Sequence, residues 1–270
     1  MSSTLIMFKM PVSKTQIDRL GDRLKGGSHT ESDLRLLDDY RRSFGEAYEA
    51  VVRTIRQRGE FPTGRLAKST HSIVEKLRRE SIRLSQMQDI AGCRVVVLNV
   101  VEQEQFVAFL QTVFPGASVI DRRDNPSYGY RAVHIIAEIS GKPIEIQVRT
   151  SLQHLWAELS EKSSDVLDPT IKYGGGPDSW RNFLTESSEA VASYEEFEKA
   201  VAELLEHHVP DHMVQEMRGR LKASTRNIVR LEQSIEELRG KLVHARNVIA
   251  DLFHRLISRL DETRPKGQNQ

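Results

Sequence analysis

The sequence has little cysteine and no long hydrophobic run. Cys93 is its one cysteine, which excludes an internal disulfide and a zinc site built from several thiolates. Val95–Leu98 ends at Asn99, and no apolar run exceeds the five residues Phe106–Leu110, whereas crossing a bilayer takes about 20 apolar residues. Leu5–Phe8 is too short for a signal-peptide core, and Lys9 closes it. These absences predict a cytoplasmic protein with no membrane partner.

The chain also lacks an excess of charge of either sign. Its 39 Lys+Arg and 38 Asp+Glu residues leave a net charge of +1, which excludes a global field that would select a polyanionic partner. Locally the charges separate, because residues 53–94 hold ten basic and four acidic side chains. Residues 178–206 hold eight acidic and two basic ones. We interpret the acidic stretch as a solvated helix face and the basic stretch as suited to phosphate binding.

Residues 1–62 are predicted to form an N-terminal helical region. Thr30 and Asp33 have the spacing of a capping box, and Gly59 with Pro62 ends the helical pattern. Between them, apolar residues recur every three or four positions on one helical stripe. The stripe consists of Leu34, Leu37, Tyr40, Phe44, Tyr48, Val51 and Ile55.

Residues 63–178 alternate between helical and strand patterns. The predicted helices are 69–79, 102–114 and 150–162, and the predicted strands are 93–100, 118–121, 131–139 and 143–149. The β-branched run at 93–100 predicts a buried strand, and Ser140–Lys142 is typical of a hairpin turn. This order predicts an α+β domain in which helices flank a mixed β-sheet.

Residues 179–262 are predicted to form a helical extension, divided at Val209–Pro210, and 263–270 a disordered tail. Apolar residues repeat every seven positions in the second part, which is typical of a coiled coil. The repeat comprises Val214, Leu221, Ile228, Ile235, Leu242, Ile249 and Leu256, with companions Met217, Leu231, Leu238, Ala245 and Leu252. The alternative is packing on its own chain, against the helix with Tyr194 and Phe197. Because that acidic helix is too short to cover the stripe, we expect Leu242 to Leu256 to contact another copy or a partner protein.

Polar side chains follow two of the predicted strands. Glu145, Gln147 and Arg149 alternate with apolar residues and therefore share one sheet face. Tyr130 and His134 share a face of the neighbouring strand. Taken alone, the pattern favours a solvent-exposed sheet face, but these groups together would also make a polar site.

Charged residues near strand ends suggest a site for phosphates and a metal ion. Asp89 precedes a strand and could meet Glu145 to share Mg²⁺, which is typically held by one or two carboxylates plus substrate phosphates. Lys68, Ser72 and Lys76 lie where a strand leads into a helix, a place suited to anions. The sequence contains no P-loop and no Gly-x-Gly-x-x-Gly stretch.

Five motifs in order resemble a known family. They are Lys68-Ser-Thr-His-Ser-Ile-Val-Glu-Lys76, Asp89-Ile-Ala-Gly-Cys-Arg94, Gly129-Tyr-Arg-Ala-Val-His134, Glu145-Ile-Gln-Val-Arg-Thr150 and His154-Leu-Trp-Ala157. Over about Gly64 to Asp165 the chain resembles the synthetase domain of the RelA/SpoT family, in its small alarmone synthetase form.

The resemblance implies a nucleotidyltransferase-like fold and transfer of the β,γ-pyrophosphate of ATP to a ribose 3′-hydroxyl, with Mg²⁺. Asp89 and Glu145 would hold Mg²⁺, and Glu145 would also take the hydroxyl proton. The implied ATP-binding residues are Lys68, Ser72, Lys76, Arg94 and, with an altered position, Arg65. The implied acceptor-binding residues are Tyr130, His134, Gln147 and Arg131, with Tyr130 stacking on the acceptor base.

The chain departs from the family pattern at three places. An arginine of the family falls on Leu66, and Arg65 stands one position early, which in an extended strand points it to the other face. Ser127 and Tyr128 replace a lysine and an asparagine. Ser160–Glu161 replaces a Glu-His pair. The last two changes concern the acceptor side.

Three functions follow as hypotheses. The first is an ATP-dependent pyrophosphokinase that makes guanosine alarmones from GTP or GDP. The second is a toxic pyrophosphokinase that modifies the 3′ end of tRNA, with an antitoxin or another protein as partner. The third is a non-catalytic nucleotide-sensing module that binds a partner through its coiled coil.

Overall fold

The computed structural model describes residues 12–206 and 225–263. The helices are α1 (Lys14–Gly26), α2 (Glu31–Arg42), α3 (Gly45–Gln57), α4 (Thr70–Arg79), α5 (Val100–Val113), α6 (Ser151–Val166), α7 (Asp178–Glu206) and α8 (Thr225–Thr263). The strands are β1 (Thr63–Arg65), β2 (Ala91–Val97), β3 (Ser118–Asp121), β4 (Val133–Ile139) and β5 (Lys142–Thr150). Short 3₁₀ turns lie at Leu84–Gln86 and Ile171–Tyr173. None of the described helices is long and apolar enough to cross a membrane.

The five strands form one sheet in the order β1-β2-β5-β4-β3. β1 pairs antiparallel with β2, and Gly64 lies opposite Cys93. β4 and β5 are joined by Ser140 and Gly141 alone, both with positive φ (51° and 73°), as tight hairpin turns require. The predicted α+β class, mixed sheet and hairpin are therefore confirmed, although Lys142 belongs to the strand rather than to the turn.

The chain divides into two compact units. The first contains the described residues up to Val95 together with Gln111–Val119 and His134–Gln147. Its helical part packs around side chains with no exposed surface. These are Leu20, Leu24, Leu37, Phe44, Ile55, Ile73 and Leu84.

The N-terminal stripe forms two helices rather than one. The predicted capping box at Thr30 and Asp33 begins α2, but that helix ends at Arg42 and α3 begins at Gly45. At the break the Ser43 hydroxyl donates to the Tyr40 carbonyl at 2.6 Å, which offers the backbone an alternative to a continuing helix. Phe44 stays fully buried, so the hydrophobic pattern continues through the break.

The second unit contains Val96–Leu110, Ile120–Val133 and the described residues from Val148 onward. Its core is built on α6, which packs against α7 and α8. The buried side chains at its centre are Leu152, Leu155, Trp156, Ala157, Leu159, Ile171, Leu184, Val191, Phe253 and Leu260.

The distal part of α8 differs from the prediction. Leu242 is buried, and Ile249 and Leu256 pack against the core of the second unit, so this part of the stripe is covered by its own chain. Phe253, which the heptad pattern did not include, is 3% exposed. Leu252, which the pattern placed among the companion positions of the repeat, is 55% exposed. α8 packs against α6, a neighbour that the heptad pattern does not indicate. The predicted break at Val209–Pro210 lies outside the described residues.

Two smaller predictions are also corrected. β2 was expected to be buried throughout, but Val96 is 38% exposed, so only one face of its second half is covered. The acidic stretch was expected to be a solvated face, yet Glu195 is 6% exposed. The Glu195 carboxylate accepts hydrogen bonds from the Thr150 hydroxyl and from Gln153 Nε2, which is why burial is tolerated there.

Candidate functional site

A buried carboxylate held by two lysines is the centre of the polar site in the first unit. Asp89 Oδ1 accepts a hydrogen bond from Lys76 Nζ at 2.9 Å, and its other oxygen accepts one from Lys68 Nζ. Burial alone would raise the pKa of Asp89, but the charges of the two lysines outweigh it and hold the pKa below its ordinary value. Burial also lowers the pKa of Lys68. We call Lys68, Lys76 and Asp89 the lysine–aspartate cluster.

The local fold determines where the two lysines lie. Lys68 follows β1, and its N–H donates to the Ile90 carbonyl at 2.7 Å, which brings it beside Asp89. Ser69 is the N-cap of α4 and accepts a hydrogen bond from the Ser72 N–H. Lys76 lies farther along α4 and reaches the same carboxylate. The predicted junction of strand and helix therefore carries both lysines and the N-terminal amides of α4 in one place.

A residue of the N-terminal helices completes this junction. The Arg41 guanidinium donates to the Lys68 carbonyl at 3.1 Å and to the Thr70 hydroxyl at 3.1 Å. It also forms an ion pair with Asp38 at 2.7 Å. Arg41 thus joins α2 to the start of α4. Arg41 is 27 residues from Lys68 and belongs to none of the motifs, so nothing in the sequence indicates this contact.

A second carboxylate of the first unit lies close to the lysine–aspartate cluster. Glu145 contacts His134 Nδ1 at 2.9 Å and accepts a hydrogen bond from Gln147 Nε2 at 2.8 Å. Burial would raise the pKa of Glu145, but its contacts with His134 and Gln147 hold the pKa below the ordinary value. The charge of Asp89 acts in the opposite direction, which indicates that the two carboxylates are neighbours. The structure therefore brings Glu145, His134 and Gln147 into contact, whereas Tyr130, predicted on the same strand face as His134, lies outside β4.

Arg65 and Leu66 lie where the first strand ends. β1 ends at Arg65, so Leu66 is outside the strand and the alternation of faces no longer applies to it. Burial is the main cause of the lowered pKa of Lys68, and the charge of Arg65 adds to it. Arg94 lies on β2, opposite Thr63 in the register.

The second unit contains a separate polar site around Tyr130. The Tyr130 hydroxyl accepts a hydrogen bond from Arg149 Nη2 at 3.0 Å, and Arg149 Cζ lies 4.9 Å from the ring centre. Gly129, at φ 89°, leaves no room for a side chain, since a Cβ there would lie 2.6 Å from the Trp156 ring. Tyr130 lines a cavity of about 160 Å³, which we call the Tyr130 cavity. Its other lining residues are Ser127, Tyr128, Trp156, Ala157, Ser160, Glu161, Lys172 and Tyr173.

The departures on the acceptor side converge on this cavity. Ser127 and Tyr128 come from the segment before Tyr130, and Ser160 and Glu161 come from α6. They are more than 30 residues apart in the sequence, and their common location could not be read from it. The acceptor-side residues that differ from the family pattern therefore line one cavity.

Arg131 lies elsewhere in the second unit. It donates to the Arg123 carbonyl and, at 3.0 Å, to the Ser188 hydroxyl. It lines a different cavity, of about 180 Å³, together with Glu195 and Lys199. The structure thus does not bring Arg131 to the cavity of Tyr130, although the two residues are adjacent in the sequence. Both residues precede β4, which begins at Val133, two residues later than the strand predicted from Arg131.

The donor atoms around Asp89 and Glu145 fit a hard divalent cation. Mg²⁺ is held by one or two carboxylates and completes its shell with water and phosphate oxygens. No group of three or more His, Cys, Asp or Glu side chains that could hold a metal occurs among residues 12–206 and 225–263. A pair of neighbouring carboxylates therefore suits an ion that arrives with a phosphorylated substrate better than a permanently bound one.

Comparison with known proteins finds a family match in the middle of the chain. Residues 64–164 match the region found in RelA/SpoT proteins, as the five motifs predicted for Gly64 to Asp165. An uncharacterized protein of Mycobacterium tuberculosis is 38% identical over 117 residues, which cover 42% of this chain and 42% of that protein. The match therefore spans less than half the length of this mycobacterial relative.

Two further matches are more distant or shorter. A probable chloroplastic GTP diphosphokinase of Arabidopsis thaliana is 29% identical over 96 residues, 34% of this chain and 13% of that protein. The crystal structure of small alarmone synthetase 1 from Bacillus subtilis, bound to its product pppGpp, is 25% identical, with a TM-score of 0.48. That match covers 66% of this chain and 100% of the Bacillus chain.

Proposed function

We propose, from the premise that residues 64–164 of this chain are a RelA/SpoT region, that the chain is an ATP-dependent pyrophosphokinase. It would transfer the β,γ-pyrophosphate of ATP to the ribose 3′-hydroxyl of an acceptor nucleotide, GTP or GDP in the first instance. The observation that supports this most directly is the lysine–aspartate cluster beside Glu145. Two cations and two carboxylates in a partly buried place are what polyphosphate chemistry requires.

Lys68 and Lys76 would bind the phosphates of ATP. Their ammonium groups now neutralise Asp89, and phosphate oxygens would accept the same hydrogen bonds. Mg²⁺, held by Asp89 and Glu145, would supply further positive charge to the phosphates. Arg41 would keep Lys68 in position through its hydrogen bond to the Lys68 carbonyl.

Glu145 is suited to receive the proton of the attacking hydroxyl. Its pKa is below the ordinary value, so the carboxylate is ionised at neutral pH and can accept a proton. The bond from the ribose O3′ to the β-phosphorus forms, the bond between that phosphorus and the α,β-bridging oxygen breaks, and AMP leaves with the electron pair. His134 and Gln147 would hold the orientation of the Glu145 carboxylate.

The 3′ end of tRNA is a second candidate acceptor. It is favoured by the convergence of Ser127, Tyr128, Ser160 and Glu161 on the Tyr130 cavity, since these replace residues of the family pattern on the acceptor side. Tyr130 would stack on the acceptor base in either case.

Transfer of label from ATP tests the proposal. Purified protein would be incubated with Mg²⁺, γ-labelled ATP and GTP, GDP or deacylated tRNA, and the products separated. We expect label in the acceptor and equimolar AMP, and neither with Glu145→Gln. An absence of labelled product with every acceptor would refute the enzyme and leave the nucleotide-sensing module.

We also propose self-association through α8. Val248 and Leu252 are each 55% exposed and, four positions apart, lie on one helical face. Such side chains are suited to contact a second copy of the chain.

A further inference from the structure

The segment after α6 has no role in the chemistry described above, yet it forms one wall of the Tyr130 cavity. Ile171–Tyr173 is a 3₁₀ turn in which Ile171 is buried and Lys172 and Tyr173 face the cavity. The Lys172 N–H donates to the Ser164 hydroxyl at 2.9 Å, which fastens the turn to α6. The position of Lys172 is therefore built into the fold of the second unit.

The glycines that follow allow the 3₁₀ turn to pack closely against the segment on the opposite side of the cavity. Gly174 has φ 78°, and a Cβ there would lie 2.3 Å from the Tyr128 ring. The absence of a side chain lets the turn approach Tyr128, which comes from the segment before Tyr130. The run Gly174–Gly176 thus explains how two distant segments can enclose a cavity.

The composition of the cavity suggests what it holds. Tyr128, Tyr130, Trp156 and Tyr173 provide aromatic surface, which stacks on a nucleobase. Its volume of about 160 Å³ is below the range of roughly 300–1,000 Å³ that encloses a whole small ligand. The cavity therefore accommodates part of a nucleotide, and the remainder extends outward.

The charges that line the cavity are balanced. Of the described residues that line it, Lys172 carries the one cationic side chain and Glu161 the one anionic side chain. The Lys172 ammonium also lies 5.1 Å from the centre of the Tyr173 ring, so it is held near the aromatic surface. One ammonium group can neutralise about one phosphate charge. The Glu161 carboxylate would repel any further negative charges on the ligand.

We propose that Lys172 is the contact for a 5′-phosphate of the acceptor, and that the Tyr130 cavity selects acceptors with few phosphate charges. The shared chemistry is a nucleoside with a single 5′-phosphate group and a free 3′-hydroxyl. Such a group occurs in a free mononucleotide and at the 3′ end of an RNA chain. This inference rests on the proposed function and changes its order of acceptors, because a nucleoside monophosphate or an RNA 3′ end would be preferred to GDP and GTP.

Acceptor competition in two variants tests the selection. Initial rates of label transfer would be measured with guanosine, GMP, GDP, GTP and a short RNA ending in CCA. In the unmodified protein we expect kcat/KM to fall from GMP or the RNA through GDP to GTP, and the comparison of GMP with the RNA separates the two sources. Lys172→Gln should lower kcat/KM about tenfold for the phosphorylated acceptors and leave guanosine unchanged. Glu161→Gln should raise kcat/KM for GDP and GTP relative to GMP.

The control is Lys162→Gln, the same substitution on α6 at a residue that pairs with Asp261 instead. It should leave the order of acceptors unchanged. GTP as the preferred acceptor, or an equal loss with guanosine in Lys172→Gln, would overturn the inference.

A binding measurement separates this inference from the proposed function. Trp156 lines the cavity, so its fluorescence can report GMP binding without ATP or turnover. If transfer is absent but Lys172→Gln weakens GMP binding about tenfold, the proposed function fails and the phosphate contact stands. If GMP binding is the same in the unmodified protein and Lys172→Gln, the phosphate contact is refuted whatever the activity.

Discussion

Arg41 donates a hydrogen bond to the carbonyl oxygen of Lys68 at 3.1 Å. A residue of the N-terminal helices thereby holds the backbone of a lysine that would bind ATP phosphates. The same guanidinium reaches the Thr70 hydroxyl in the first turn of α4. The N-terminal helices therefore take part in shaping the polar site of the first unit as well as its core.

Replacing Arg41 should impair ATP binding without removing the chemistry. We expect Arg41→Gln to raise the KM for ATP about five- to tenfold and to change kcat much less, because its role is to position Lys68. Arg35→Gln on the same helix is the control, since Arg35 is paired with exposed Glu31. A fall in kcat with an unchanged KM for ATP would contradict a positioning role.

Glu145 should be indispensable for transfer. Glu145→Gln would remove the proposed Mg²⁺ ligand and proton acceptor but leave both lysines, so we expect kcat to fall at least 100-fold, which corresponds to about 2.7 kcal/mol of barrier. ATP binding, measured by calorimetry, should persist. Glu138→Gln on the exposed part of β4 should behave like the unmodified protein. Wild-type turnover by Glu145→Gln would eliminate the assignment.

The ring of Tyr130 should matter more than its hydroxyl. Tyr130→Phe loses the hydrogen bond from Arg149 but keeps the face for stacking, so kcat/KM should change only a few-fold. Tyr130→Ala should lower kcat/KM more than tenfold, since base–aromatic stacking contributes roughly 1–3 kcal/mol. If the melting temperature and the activity fall in proportion, Tyr130 acts through packing and the stacking role is wrong.

Neutralising Glu195 should stabilise the protein above acidic pH. Burial raises the pKa of Glu195, although its hydrogen bonds from Thr150 and Gln153 oppose this. Because the pKa of Glu195 is raised in the folded state, its protonated carboxyl stabilises the fold at pH values below the pKa of the unfolded state. This stabilisation is lost as the pH rises through the pKa of the folded state. Glu195→Gln should therefore raise the melting temperature by a few degrees at pH 8, and the gain should vanish near pH 4.

A companion variant distinguishes this effect from a change in packing. Glu195→Ala removes the carboxylate together with its contacts to Thr150 and Gln153, and it should lower the melting temperature at every pH. A Glu195→Gln protein that is less stable at pH 8 would show that the charged form is favoured after all.

Self-association can be tested on the exposed face of α8. Light scattering at micromolar concentration should give at least a dimeric mass. Val248→Asp with Leu252→Asp should reduce it to a monomer while circular dichroism stays unchanged. Substitution of Leu242 is less informative, because Leu242 is 9% exposed and covered within the chain. A monomeric mass for the unmodified protein would refute the homo-oligomer.

The sequence by itself was sufficient for features that depend on local spacing. The capping box at Thr30 and the alternation of Glu145 with apolar neighbours follow from the periods of helix and strand, and the structure contains both. The motifs from Lys68 to Ala157 likewise identified the RelA/SpoT region, because they preserve the order and spacing of the family.

Only the tertiary structure decided which distant residues meet. Nothing in the sequence relates Arg41 to Lys68, or Lys172 to Tyr130, since each pair is joined by the packing of separate elements. The same reason explains the error at α8: an apolar stripe shows that a surface must be covered, but it does not show what covers it. In this protein α6 covers Phe253 and Leu260, and the helical repeat alone could not distinguish that neighbour from a second chain.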